Sequence, residues 1–151
     1  MGGLLPDAST TEKGLMTPYL AVLTVTYLTN VNSGDFVKLF NVKQYGIGIF
    51  QLLAGDFVAN NPSTFYNAFI TVNNRSNETL SLFVSGIKTT SAIIYCKRNS
   101  DNSVDVYVKM PNANYVCCYL SWILQNSPYY ITTIMTVDNS VAESELTKYQ
   151  L

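Results

Sequence analysis

Histidine does not occur in the 151 residues of this chain. Its absence removes the most common general base, the usual nitrogen ligand of metal ions, and the serine and cysteine triads that depend on imidazole. Three cysteines are present, Cys96, Cys117 and Cys118, and they lack the CxxC spacing of a zinc site. The Asn- and Asp-rich turns contain no Asp-x-Asp-x-Asp loop for calcium. We therefore predict neither a metal site nor a cofactor.

Charge is also scarce. Charged residues make up 13% of the chain, against about 25% in typical soluble domains, and the net charge is −1. No run of basic residues is present, so the sequence disfavours nucleic acid or an anionic membrane as a partner. The polar content is instead Asn, Ser and Thr, with eleven tyrosines and seven phenylalanines. That composition is typical of a secreted lectin, a viral surface protein or an obligate oligomer rather than a cytosolic monomeric enzyme.

Long apolar runs are absent as well. No segment approaches the ~18 consecutive apolar residues of a membrane-spanning helix, which predicts no membrane insertion. The start of the chain, MGGLLP, lacks the basic region and apolar stretch of a secretory signal.

The cysteines indicate a reducing compartment. Cys117 and Cys118 are neighbours on a predicted strand, so they should point to opposite faces and share no partner. Three reduced and mostly buried thiols are expected. A disulfide between Cys96 and one of the other two stays open, because it requires only that their strands adjoin.

Strand patterns, by contrast, are abundant. Between residues 104 and 109, three valines alternate with Asp105, Tyr107 and Lys109, the period of a strand with one buried face. The stretch before it, residues 92–97, is rich in β-branched and aromatic side chains, and the polar residues 99–103 favour a tight turn. Residues 91–110 are therefore predicted to form a β-hairpin.

Most of the chain repeats this pattern. From residue 19 onward, short apolar stretches alternate with polar turns, which indicates about nine or ten strands. We predict an all-β fold, an antiparallel and jelly-roll-like β-sandwich. One strand should carry an inward face made of Val116, Cys118, Leu120, Trp122 and Leu124. Residues 36–42 and 47–53 are apolar on both faces, so we expect them in central strands or in a contact between subunits.

Three parts of the chain can be distinguished. Residues 1–18 show no strand pattern and form an N-terminal connector, residues 19–137 form the sandwich, and residues 138–151 form a C-terminal tail or short helix. Ser140 and Glu143 have the spacing of a capping box, and Leu146 and Tyr149 could pack from one helical face. A frayed tail is the alternative.

Residues 8–16, ASTTEKGLM, resemble the A-[ST]-x-x-x-x-G-[LM] element that recurs in bacteriophage tail fibre and baseplate proteins. In those proteins the element lies just upstream of a receptor-binding or connector domain. The short strands that follow, rich in Asn, Tyr and Thr, also resemble C-terminal β-sandwich domains of tail proteins from gut phages and prophages. The resemblance implies a homotrimer in the virion tail, assembled in the bacterial cytoplasm, with other tail proteins and a host-surface glycan or protein as partners.

The acidic residues decide whether catalysis is a candidate, because glycoside hydrolysis needs only two carboxylates. Nearly all of them lie in predicted turns or near the chain ends: Asp7, Glu12, Asp35, Asp56, Glu78, Asp101, Asp105, Asp138, Glu143 and Glu145. Asp105 lies within a strand, and its neighbours Lys97 and Lys109 predict an exposed cross-strand charge pair. We therefore predict no enzymatic activity and no catalytic residues.

Binding is the remaining chemistry. Proteins recognise sugars through aromatic faces that stack on the ring and through polar groups that bond to its hydroxyls. Predicted loops offer both kinds of group, and the candidate ligand-binding residues are Asn112, Asn114, Tyr115, Asn126, Tyr129 and Tyr130. Tyr129 and Tyr130 adjoin on a predicted strand, so at least one should face away from the core. The alternative is that these tyrosines are ordinary strand-end aromatics.

The residues and the resemblance support a virion structural protein, the receptor-binding tip domain of a phage tail fibre or baseplate. The alternative is a stand-alone carbohydrate-binding module or a bacterial surface lectin, for which a monomer with an aromatic platform on one sheet is expected. A glycan-cleaving tail enzyme is a third hypothesis, and it requires paired carboxylates in a cleft. The sequence does not separate a receptor-binding tip from a structural connector of the same tail.

Overall fold

The computed structural model describes residues 25–56, 65–75, 81–88, 93–111, 116–127 and 129–150. These ranges contain ten strands: β1 (Val25–Val31), β2 (Phe36–Val42), β3 (Gly46–Asp56), β4 (Phe65–Asn74), β5 (Ser81–Lys88), β6 (Ile93–Arg98), β7 (Val104–Lys109), β8 (Val116–Gln125), β9 (Ile131–Val137) and β10 (Thr147–Gln150). They also contain one 3₁₀ turn, Glu143–Glu145, and no helix that is long and apolar enough to cross a membrane. The predicted connector, residues 1–18, lies outside the described residues, as does the tail-fibre-like element within it.

The strands form two five-stranded sheets in which every pairing is antiparallel. The first sheet has the order β1-β8-β3-β4-β5, and the second has the order β10-β6-β7-β2-β9. Because β1 pairs with β8 while β2 pairs with β7 in the other sheet, long-range pairs are nested as in a jelly roll. The all-β antiparallel sandwich predicted from the sequence is confirmed.

The core lies between the two sheets. Phe40 on β2 and Phe50 on β3 come from opposite sheets, and their rings stack with centroids 4.1 Å apart. The Trp122 ring centroid lies 4.0 Å from that of Phe50, and its indole N–H donates to the Thr133 hydroxyl at 2.7 Å. Each fully buried phenylalanine of this kind contributes about 1.5–3 kcal/mol. The prediction that Trp122 belongs to the core is supported by its packing, although the side chain is only half-buried.

The predicted inward face of β8 is wrong at its far end. Cys118 and Leu120 are buried as expected, but Leu124 is 57% exposed and Gln125 is buried instead. In the pairing with β3, residues 122 and 124 of β8 lie opposite consecutive residues of β3, so Ile123 is one extra residue in β8. An extra residue of this kind reverses the inward and outward sides of the strand beyond it.

The C-terminal segment, residues 138–150, covers part of the outer face of the second sheet. Phe36, Tyr95 and Tyr107 project outward from β2, β6 and β7, and Val141 and Leu146 pack on them. As a result, β7 is buried on both faces rather than on one. The chain itself therefore covers the outward side of β2 at Phe36, whereas Lys38 and Asn41 on the same strand stay partly exposed.

Charged side chains attach this segment to the sheet. The Glu143 carboxylate accepts hydrogen bonds from the Lys109 ammonium at 2.8 Å and from the Tyr95 hydroxyl at 2.6 Å. Glu145 pairs with Lys97 at 2.7 Å, and β10 then pairs with the edge of β6. The short C-terminal helix predicted here is therefore a single 3₁₀ turn followed by a strand.

Candidate functional site

The six predicted ligand-binding residues fall into two groups. One group lies outside the described residues: Asn112, Asn114 and Tyr115. The other group lies together in the connection between β8 and β9, at one end of the sandwich: Asn126, Tyr129 and Tyr130.

Tyr129 and Tyr130 occupy a turn, because β9 begins only at Ile131. The prediction that they are consecutive strand residues is therefore wrong, and the argument that they face in opposite directions does not apply. Their rings contact each other edge to face, with centroids 5.2 Å apart. The turn is closed by the Tyr130 N–H, which donates to the Ser127 carbonyl at 3.1 Å.

Asn126 has a structural role. Its side-chain amide donates to the Tyr45 carbonyl at 2.8 Å, and its side-chain oxygen accepts from the Ile47 N–H at 3.0 Å. Both ends of the amide thus hold the turn between β2 and β3 against the β8–β9 connection. Asn126 therefore positions its neighbours, and its exposed side chain stays a predicted ligand contact.

The exposed part of this end is an aromatic surface. The Tyr129 side chain is 68% exposed, and the Lys43 ammonium lies 4.1 Å from the centre of its ring. Tyr45 is 53% exposed on the adjacent β2–β3 turn. We call Lys43, Tyr45 and Tyr129 the tyrosine edge. A cation over an exposed aromatic face contributes about 0.5–1 kcal/mol, so Lys43 helps to orient the ring and occupies one of its faces.

The backbone places the tyrosine edge through a tight turn. Lys43 N–H donates to the Tyr130 carbonyl at 2.7 Å, and Tyr45 adopts the left-handed region with φ of 73°. A Cβ at Gly46 would lie 2.5 Å from a methyl carbon of Val42 and 3.2 Å from the Tyr130 carbonyl oxygen. A Cβ would clash at this position, so glycine allows the close approach of the β2–β3 turn to the β8–β9 connection.

A polar groove of about 550 Å³ lies on the outer face of the second sheet. It is bounded by β2, β7, β9 and the β6–β7 turn, and it is lined by Lys38, Asn41, Asn99, Ser100, Asp101, Ser103, Asp105, Thr132 and Ile134. The groove is shallow and open to solvent, so it encloses a ligand less than the deep clefts that usually bind small molecules. Amide, hydroxyl and charged groups dominate the lining, which suits a ligand rich in hydroxyl groups.

Asp105 forms the floor of the groove. Its side chain is nearly buried, with one oxygen 2.8 Å from the Lys38 ammonium and the other accepting from the Asn41 amide at 2.7 Å. Lys97 lies opposite Asp105 on the neighbouring strand as predicted, but the predicted exposed ion pair is wrong, because Asp105 is buried and pairs with Lys38. Lys97 and Lys109 instead form ion pairs with the C-terminal segment. The strand pattern did not predict that this segment covers the outer face of the sheet.

Asp101 connects the groove to the tyrosine edge. Its carboxylate accepts from the Ser103 hydroxyl at 2.7 Å and from the Ser103 N–H at 3.0 Å. These hydrogen bonds lower the pKa of Asp101, and the positive charge of Lys43 lowers it further. The groove and the tyrosine edge are neighbours in the fold, because Asn41 of the groove lies two residues from Lys43 and Thr132 lies three residues from Tyr129.

Asn74 holds this end of the sandwich together. It is fully buried at the end of β4, in the first sheet. Its side-chain amide donates to the Val42 carbonyl at 3.1 Å and to the Asn102 carbonyl at 2.9 Å. Val42 ends β2 of the second sheet, and Asn102 lies in the turn between β6 and β7 of that sheet. The Arg98 guanidinium donates to its side-chain oxygen at 3.3 Å. The turn that carries Asp101 is therefore fixed relative to β2.

Sequence reasoning missed Lys43, Tyr45 and the whole groove. Tyr45 could have been noticed, because it immediately precedes Gly46, which separates two apolar stretches. The groove could not have been predicted from the sequence, because its lining residues Asn41, Ser103 and Thr132 are distant along the chain. Only the pairing of β2 with β7 and β9 brings them together. In the described part of the chain, no group of three or more Cys, Asp or Glu side chains could hold a metal ion.

No protein-family model, no curated protein and no solved structure matches this chain. The tyrosine edge and the polar groove are therefore the observations from which its function has to be inferred.

Proposed function

We propose that this chain is the receptor-binding tip domain of a bacteriophage tail fibre or baseplate protein, and that it attaches the virion to a glycan on the host surface. The observation that carries the proposal is the exposed ring of Tyr129, held by Lys43 beside a polar groove. Resemblance of residues 8–16 to a tail-protein element supplies the phage context.

In this proposal, Tyr129 stacks on the apolar face of a sugar ring and the groove binds the hydroxyls of the adjoining residue. Tyr129 is mostly accessible, and a tyrosine ring provides a large contact area with little rotamer entropy to lose. Thr132 and Ser100 contribute hydroxyl groups within the groove. Lys38 and Asp105 neutralise each other, which leaves Asp101 as the remaining formal charge of the lining, so the groove suits a neutral saccharide better than an anionic one.

Two carboxylates line the groove, so cleavage of the glycan is the competing chemistry. A glycosidase needs one carboxylic acid whose pKa is raised, so that it can donate a proton. The pKa of Asp101 is lowered instead, chiefly because the Ser103 hydroxyl donates to it. Asp105 is held on both oxygens by Lys38 and Asn41. These carboxylates are better suited to accept hydrogen bonds, and we propose binding rather than catalysis.

The resemblance to tail fibres implies three copies acting together. Sites of this open, partly exposed kind bind sugars weakly, and several copies at fixed spacing convert weak sites into firm attachment. A virion tail, assembled in the bacterial cytoplasm with other tail proteins, is the proposed location. A host-surface protein is the other receptor class that this function allows.

One observation favours a second candidate, a stand-alone carbohydrate-binding module or surface lectin. Tyr27 is 64% exposed on the outer face of the first sheet, and its ring stacks on that of Tyr119 with centroids 5.9 Å apart. A flat sheet face with tyrosines could bind a polysaccharide chain. A monomer that binds through Tyr27 would be the module, whereas binding through Tyr129 would be the tip.

The test is an array of bacterial-surface polysaccharides and oligosaccharides probed with the native protein and two variants, Tyr129→Ala and Tyr27→Ala. We expect binding to at least one glycan, with about a tenfold or greater loss for Tyr129→Ala if stacking is worth about 1.4 kcal/mol. Val137→Ala, at the opposite end of β9 from Tyr129, is the control and should bind normally. Binding to no glycan, or loss only with Tyr27→Ala, would contradict the proposed site.

A further inference from the structure

We propose that the glycan bound in the polar groove carries a free primary amine, and that the Asp101 carboxylate binds the ammonium group of that amine. The proposal rests on the proposed function and names the class of saccharide that its site takes. Attachment to a glycan does not itself require a charged ligand, so the two can fail separately.

The lining of the groove has an excess of negative charge. Among its residues, Lys38 is positive and Asp101 and Asp105 are negative, so the formal charge of the lining is −1. Lys38 and Asp105 lie 2.8 Å apart and compensate each other, which leaves the charge of Asp101. A ligand with one positive charge would make the occupied groove neutral, whereas an anionic sugar would be repelled.

Hydrogen bonds within the lining occupy its amide and hydroxyl donors. The Asn41 amide donates to the Asp105 carboxylate at 2.7 Å and to the Ser103 hydroxyl at 3.1 Å. The Ser103 hydroxyl donates its single hydrogen to Asp101 at 2.7 Å, so its oxygen accepts from Asn41 and from the Asn99 amide. Both N–H groups of the Asn41 amide and the hydroxyl hydrogen of Ser103 are therefore in use before a ligand arrives.

Acceptor oxygens of the lining remain available. Among the described residues, none donates to the side-chain oxygens of Asn41 and Asn99. Asp101 uses one carboxylate oxygen for both hydrogen bonds from Ser103, which leaves the other oxygen for a ligand. A protonated primary amine brings three N–H donors together with a positive charge. It therefore matches both the acceptors and the charge of the lining, whereas a hydroxyl group brings one donor and no charge.

Asp101 is held in the charged form that this contact needs. It is exposed, and the two hydrogen bonds from Ser103 lower its pKa, so the carboxylate is ionised at neutral pH. Lys43 also lowers the pKa of Asp101, but its effect is smaller than that of the Ser103 hydroxyl, and its ammonium lies over the Tyr129 ring. The amine would thus bind in the groove while a neighbouring sugar stacks on Tyr129.

The experiment repeats the glycan array with every glycan printed in two forms, untreated and N-acetylated with acetic anhydride in water. Acetylation converts a primary amine into a neutral amide and leaves the sugar ring in place. At about pH 6, where a free amine is protonated, the native protein should bind glycans that contain free amines. Acetylation should weaken that binding about fivefold or more, since an exposed charge pair is worth up to about that factor and further hydrogen bonds add to it.

Asp101→Asn is the decisive variant, because the asparagine oxygen can still accept from Ser103 while the charge is lost. It should bind the untreated glycans about fivefold more weakly and the acetylated glycans as the native protein does. Glu145→Gln is the matched control, because it removes one negative charge from an exposed side chain that pairs with Lys97 and does not line the groove. It should bind both forms like the native protein.

Three results would overturn the inference and leave the proposed function in place. They are binding to glycans without free amines, binding that survives N-acetylation, and a loss with Glu145→Gln equal to that with Asp101→Asn. Tyr129→Ala should weaken binding of the two forms alike, which separates the stacking contact from the charged one. Binding to no glycan in either form would overturn the proposed function, and this inference with it.

Discussion

The Lys38 ammonium and the Asp105 carboxylate lie 2.8 Å apart on the outer face of the second sheet, where only 9% of the Asp105 side chain is exposed. The pair joins β2 to β7 beneath the polar groove, and the Asn41 amide binds the other carboxylate oxygen. A carboxylate this deeply placed is stable only while its partners remain. The shape of the groove floor therefore depends on this pair.

Replacing Asp105 by Ala should destabilise the fold by about 2–4 kcal/mol, because Lys38 and Asn41 lose their common acceptor. Chemical denaturation measures the change in the free energy of unfolding. Lys38→Met is the companion variant, and the double variant should be less destabilised than the sum of the two single changes. A loss below about 1 kcal/mol for Asp105→Ala would show that the pair is no more than a surface ion pair.

The C-terminal segment should detach first in acid. Hydrogen bonds from Lys109, Lys97 and Ser140 lower the pKa values of Glu143, Glu145 and Asp138. Unfolded carboxyls titrate near pH 4, at about 4.3 for Glu and 3.9 for Asp, so these groups stabilise the segment above that range. The stabilisation is lost as the pH falls through the lower folded values.

Hydrogen exchange of the backbone amides tests whether the C-terminal segment detaches first in acid. Between about pH 5 and pH 3, protection of β10 should fall relative to that of β3 and β4, after correction for the intrinsic rate. A Glu143→Gln, Glu145→Gln double variant should show reduced protection at pH 5 and a smaller further loss on acidification, which Asp138 alone would cause. Equal loss of protection in all strands would show that the segment does not detach separately.

The three cysteines, all in described strands, form no disulfide, so the reduced thiols expected from the sequence are confirmed. Burial raises the pKa of Cys96 and of Cys118 to about 12, whereas Cys117 is only half-buried on the opposite side of β8. At pH 8, only about 0.01% of each buried thiol is thiolate, the reactive form.

A thiol reagent such as DTNB, at low protein concentration, should therefore modify Cys117 alone in the native protein and all three cysteines after denaturation. Cys117→Ser should remove the native reaction and leave two thiols in the denatured protein. Rapid native reaction of Cys117→Ser would mean that the buried strands open far more often than the packed core allows.

The alternation of apolar and polar residues in β7 correctly predicted that its valines are buried, because in a strand every second side chain points toward the core. It did not predict that Asp105 and Tyr107 are buried too, because their cover comes from residues far along the chain. Alternation also failed at Leu124, where one inserted residue reverses the pattern. The ends of strands were least predictable: Tyr129 was placed in a strand but lies in a turn, where Lys43 from another connection meets it.

Glycan attachment is the central claim, and cell binding with periodate treatment tests it most directly. Fluorescently labelled protein is incubated with a panel of gut bacterial strains, before and after periodate cleaves the vicinal diols of their surface sugars. We predict binding to at least one strain, loss of that binding after periodate, and the same loss for Tyr129→Ala but not for Val137→Ala. Binding to no strain, or binding that survives both periodate and Tyr129→Ala, would contradict the claim.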